Sequence, residues 1–206
     1  MEAGDLQFLD FWQWFTNHQS EFNSLSNPDE LFWDTALEQI QKVDKQLRFE
    51  LSRPDSTARE FIVTTEGYVE AFPIAERLVL LAPTLNGWVF VALKPPMGFT
   101  FTTRYEDILF EPQSMWFLPL TNPAYPENFA IRVGIEGLKS IDETVAHNAV
   151  LVILDTALGE RTAALDIQHI EVSELPANPE SLGYIELPEL AEYIAWRKGS
   201  SSLQSS

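Results

Sequence analysis

The chain has 206 residues, 45% of them apolar and 12% aromatic, with six Trp and fourteen Phe. That is enough for a packed core, and it excludes disorder over most of the length. Its 31 acidic and 13 basic residues leave a net charge of −18, which disfavours nucleic-acid binding and suits a basic protein partner, a cation or plain solubility.

Cysteine is absent, so disulfides, thiolate-bound zinc and thiol nucleophiles are excluded. The opening "MEAGDLQF" is acidic and has no basic-then-apolar leader pattern, and the longest apolar runs, near 78–82 and 149–154, are too short to span a bilayer. The expectation is a soluble, cytoplasmic protein with no membrane contact. Residues 5–25 place Phe8, Phe11, Trp12, Phe15 and Phe22 at helical spacing, an aromatic stripe that reads as core. "SNPDELFWDTALEQIQKVDKQ" restarts the helix with Asn27 as N-cap and Pro28 at the first helical position. Together these make an N-terminal helical pair over about 5–45.

From there the period becomes two. "LRFELS" alternates Leu47, Phe49 and Leu51 with polar residues, "RPDSTAR" is a turn by composition, and "EFIVTTEG" returns as a second strand. "YVEAFPIAERLVLLAP" is a helix starting near Phe72, because Pro73 is tolerated only in a first turn, and Pro83 stops it. "WVFVAL" is apolar throughout and reads as a central strand. "FTFTTRY", "MWFLPL" and the cleanly alternating "NFAIRVGIEG" follow as extended pieces. "SIDETVAHNAVLVILDTALGE" is a helix with Ser140 and Glu143 at capping-box spacing and a close at Gly159. "AALDIQHIEV" reads as a strand whose phase shifts at Gln168–His169, suggesting a bulge or burial on both faces. "LPELAEYIAWRK" is a last short helix, and the low-complexity tail 199–206 is expected to be disordered.

The fold class that follows is α+β: a mixed, mostly antiparallel sheet covered by helices, in one domain over 1–198. An internal echo sharpens it. Val63-Thr-Thr-Glu66-Gly67 and Val133-Gly-Ile-Glu136-Gly137 each close a strand before a helix, so two ββαβ units packed as one domain are expected. The stretches "EGYVEAFPIAERLVLLAP", "KPPMGFTF", "MWFLPL", "LDTALGE", "ALDIQHIEVSELP" and "GYIELPELAEYIAWRK" together resemble a family of uncharacterised bacterial proteins of about this size. The resemblance covers nearly the whole chain, to Lys198. It implies a compact α+β bacterial protein and carries no catalytic set.

No nucleotide-binding glycine loop, Gly-x-Ser-x-Gly elbow or paired-histidine metal signature occurs, and no cofactor is expected. His18, His147 and His169 are too scattered to form a metal signature, and His147 and His169 read as structural. Asp155, Glu160 and Asp166 flank "DTALGE", and three carboxylates meeting there would suit Mg2+ or Ca2+. This supports the alternative of a small ligand binder or a cation-dependent enzyme. "KPPMGFTF" has two readings. In one, Met97, Phe99 and Trp116 form an apolar lip for a partner, stiffened by Pro95 and Pro96. In the other, Gly98 turns the chain and Phe99 and Phe101 alternate into the core. The alternation favours the second, with Met97 left to face outward. The favoured function is non-enzymatic binding of a protein, a basic one fitting best, through an acidic and partly aromatic surface.

Overall fold

The computed structural model describes residues 5–25, 31–53, 57–121, 124–125 and 128–204. Asn27 and Pro28, expected to start the second helix, lie outside them, as do residues 54–56 of the turn and the last two of the tail. The fold is α+β. Contacts within the chain gather into two compact units, Met1–Lys94 and Pro95–Ser206, where the sequence suggests one domain over 1–198.

The first unit opens with α1 (Leu6–Asn17) and α2 (Gln19–Ser24), followed by α3 (Leu31–Gln41). The expected single helix over 5–25 is thus two. The backbone leaves helical geometry at His18, whose ring stacks on Trp14 at 4.5 Å and whose Nδ1 donates to Trp14 O at 2.8 Å. Then come β1 (Arg48–Leu51), β2 (Arg59–Thr64), α4 (Phe72–Leu80) and β3 (Trp88–Ala92). β2 pairs antiparallel with β1 and parallel with β3. "WVFVAL" was expected to be central, but β3 is an outer strand, with Val89 exposed. The reason is topological: β1 already holds one side of β2, so the crossover through α4 can deliver β3 only to the other.

The core of this unit is aromatic. Phe15 is fully buried, with ring centroids of Phe22, Trp88 and Phe61 at 4.3, 5.0 and 5.2 Å in stacked and edge-on arrangements. Trp12 Nε1 donates to Leu78 O at 2.7 Å, so the one polar atom of that indole is satisfied as it ties α1 to α4. At the start of β2, Arg59 is buried and its guanidinium donates to the carbonyls of Phe22, Asn23 and Leu25. It thereby supplies donors that the end of α2 lacks within its own helix.

The second unit begins with a hairpin of β4 (Thr103–Tyr105) and β5 (Ile108–Phe110). β6 (Trp116–Leu120) and β7 (Ala130–Ile135) pair antiparallel, α5 (Glu143–Leu158) and α6 (Glu160–Asp166) cross over, and β8 (His169–Glu174) runs parallel to β7. The short β9 (Ile185–Glu186) pairs with β6, giving the order β8-β7-β6-β9, and α7 (Leu190–Gln204) closes the unit. Phe117, Ile131 and Val133 pack on Val150, Ile153 and Leu154 of α5 and on Leu187 and Leu190. β6-β7-α5-β8 repeats the topology of β1-β2-α4-β3, and Gly67 and Gly137, which end the two echoed segments, both take positive φ (85° and 74°). Both expected ββαβ units are therefore present, one in each compact unit.

Three details differ from the sequence reading. The N-cap of α5 is Asp142, not Ser140; its carboxylate accepts from the N–H groups of Thr144 (2.9 Å) and Val145 (3.3 Å). "FTFTTRY" is extended as a strand only from Thr103. Residues 160–166 form α6, so the strand starts at His169, and the phase shift at Gln168–His169 marks a helix-to-strand passage, not a bulge. Gly159, at φ 79° and ψ 149°, ends α5 and redirects the chain into good helix formers.

Candidate functional site

The stretch "KPPMGFTF" lies against the end of α5. Met97 N–H donates to Thr156 O and Gly98 N–H to Ala157 O, each at 3.0 Å, so the segment satisfies last-turn carbonyls of that helix. Gly98 takes φ 72°, as a turn there requires, and Phe99 is buried in the core. Met97 is 69% exposed, whereas Trp116 sits half-buried on β6. Met97, Phe99 and Trp116 thus differ sharply in exposure and have no shared outward face.

The carboxylates expected around a cation are divided between α5 and α6. Asp155 is on α5, while Glu160 opens α6 beyond the redirecting Gly159 and is fully buried. Asp166 receives Lys198 Nζ at 2.6 Å. Among the described residues no group of three or more His, Asp or Glu is placed to hold a metal ion.

What the second unit does assemble is a polar network on the sheet face away from α5. Strand alternation and register bring Ser173, Gly134 and Trp116 into one cross-strand row, Glu171, Arg132 and Leu118 into the next, and His169, Ala130 and Leu120 into a third. Arg132 Nε and Nη2 donate to Glu171 Oε2 at 2.8 and 2.7 Å, and His169 Nε2 lies 3.6 Å from Glu171 Oε1. The Arg132 hydrogen bond holds the Glu171 carboxyl below the usual carboxylate range, and the same bond raises the Arg132 guanidinium. Ser173 and Tyr184 hydroxyls are 3.4 Å apart. A Cβ at Gly134 would lie 2.8 Å from Leu175 Cδ1 and 3.2 Å from a Tyr184 ring carbon, so a larger residue in this row requires those side chains to shift.

On the opposite face, a groove of about 440 Å³ runs between the first turns of α5 and β8, lined by Leu138, Glu143, Thr144, Ala146, His147 and Val172. Beside it, Glu174 accepts from Gly137 N–H (3.0 Å) and Lys139 N–H (3.1 Å), and those two bonds, Gly137's first, lower its carboxyl. No family model, curated protein or solved structure matches this chain. Geometry alone therefore defines the site: an outer strand with ionic side chains on one face and a groove of mixed apolar and polar lining on the other. The sequence reading named Trp116, His147 and His169 but missed Arg132 and Glu171. These lie 39 positions apart, and only the parallel pairing of β7 with β8 joins them. The signal available was the strict alternation of "AIRVGI", which sets Arg132 on the non-core face.

Proposed function

We propose that this chain is a cytoplasmic, non-enzymatic protein that acts by binding a basic partner protein through an acidic, partly aromatic surface. The observation that carries the reading is the surplus of 18 negative charges. That surplus is what remains after every basic residue is counted, and Arg48, Arg77, Lys94, Arg132 and Lys198 are each already in an ion pair with a carboxylate. Exposed apolar side chains stand within that acidic surface. Trp196, 65% exposed, shares one face of α7 with exposed Glu192, four residues before it. Aromatic anchors ringed by charge suit protein recognition, and opposite charge speeds the encounter. No helix among the described residues is long and apolar enough to cross a membrane.

The test is a pull-down at low and high salt with the full chain as bait. A small set of basic proteins, enriched at low salt and released by salt, is expected. No enriched protein at low salt overturns the reading.

A further inference from the structure

We propose that the open edge of β8, with the groove between β8 and α5, receives an extended segment of the partner as a fifth strand, in which apolar and basic residues alternate. This rests on the basic-partner reading above and adds the surface, the conformation and the residue pattern.

β8 ends the order β8-β7-β6-β9, and no described strand lies beyond it. Leu175 N–H donates to Ile135 O at 2.9 Å, so along the ladder the backbones of Ser173 and Glu171 face β7. Alternation then turns the N–H and C=O groups of Ile170 and Val172 to the open side, where an added strand would pair with them. The six residues "HIEVSE" contain neither Pro nor Gly. Other edges are less suited. β9 has two residues, β4 and β5 three each and β1 four, and β3 is followed at once by Leu93, Lys94, Pro95 and Pro96.

The two faces of β8 dictate the pattern of the guest. On the α5 side, the groove is lined by Leu138, Ala146 and Val172 together with Glu143, Thr144 and His147. Every second side chain of an added strand would point there, where an aliphatic group would lie against Val172 and Leu138. On the other side, Glu171 and its Arg132 partner lie in the row next to the edge, with His169 beyond. The intervening side chains of the guest would stand beside Glu171, where Arg132 takes Oε2 and leaves Oε1 to accept from a lysine or arginine. A second copy of this chain is disfavoured, because its own β8 would bring Glu171 and Glu174 against the same carboxylates.

The test uses the full-length chain and two fluorescein-labelled peptides of eight residues: alternating valine and lysine, and a block of four valines followed by four lysines. Anisotropy at low and high salt is combined with amide hydrogen exchange. The alternating peptide is expected to bind about tenfold tighter than the block peptide, to lose affinity with salt, and to slow exchange over 169–175. Val172→Pro, which removes an outward N–H without touching the β7 ladder, and Glu171→Gln should each weaken it by roughly fivefold or more. Should Val172→Pro fail to fold, Glu171→Gln and the exchange map still decide. Equal affinity for the two peptides, or protection away from β8, overturns the edge assignment and leaves the basic-partner reading standing. Absence of binding by either peptide at low salt overturns the edge assignment, whereas the basic-partner reading falls only if the pull-down at low salt also returns nothing.

Discussion

Arg59→Met is the substitution that bears hardest on the first unit. Arg59 is buried at the start of β2, and its guanidinium donates to three carbonyls at the end of α2: those of Phe22, Asn23 (2.6 Å) and Leu25. It also lies 5.8 Å from the centre of the Trp88 ring. Methionine retains most of the apolar stem but leaves two buried carbonyls and one half-buried carbonyl without these donors. A buried acceptor stripped of its partner costs about 1–3 kcal/mol, and relief from desolvating the guanidinium offsets part of the sum. The net expectation is a loss of about 2–4 kcal/mol, a large share of the roughly 5–15 kcal/mol that stabilises a typical domain. Urea unfolding followed by tryptophan fluorescence measures it, since Trp12, Trp14, Trp33 and Trp88, four of the six tryptophans, lie in this unit. Arg59→Lys should recover less than half, because a single ammonium cannot reach three diverging carbonyls as a planar fork does. A loss below about 1 kcal/mol at unchanged denaturant slope, or full recovery by lysine, refutes the capping role assigned to this side chain.

In the second unit, Asp142→Ala should cost about 1 kcal/mol by thermal denaturation, whereas Ser140→Ala should cost only a few tenths, because Asp142 holds the two N-terminal N–H groups of α5. Gly134→Val should destabilise by roughly 2–3 kcal/mol on the same assay, since even its Cβ would meet Leu175 and the Tyr184 ring inside van der Waals distance. Hydrogen bonds from Arg132 and from the Gly137 and Lys139 amides hold Glu171 and Glu174 below the ordinary carboxylate value of 4.5. Their contribution to stability is therefore complete above that value and is lost as pH falls through the lowered folded-state values. Glu174→Gln should flatten the acid limb of a stability–pH curve measured from pH 7 downward, and an unchanged limb contradicts the turn-capping assignment.

Much of the architecture could be read along the chain because it depends on neighbours in sequence. Apolar spacing in "LQFLDFWQWFTN" and "NFAIRVGIEG" selects helix and strand, Pro73 places the start of α4, and Gly159 ends α5. The twin segments ending in Gly67 and Gly137 even announced the repeated ββαβ unit, because a left-handed turn residue is a local requirement. What stayed hidden depends on pairing between distant strands. Whether "WVFVAL" is central or outer follows from which flank of β2 is already occupied, and hydrophobicity alone is silent on that. Whether Asp155, Glu160 and Asp166 converge follows from the direction in which Gly159 sets α6 after α5. Arg132 and Glu171 became partners only when β7 and β8 aligned in parallel register. Local stereochemistry is written residue by residue, whereas a surface that joins separate strands exists only after the chain has closed upon itself.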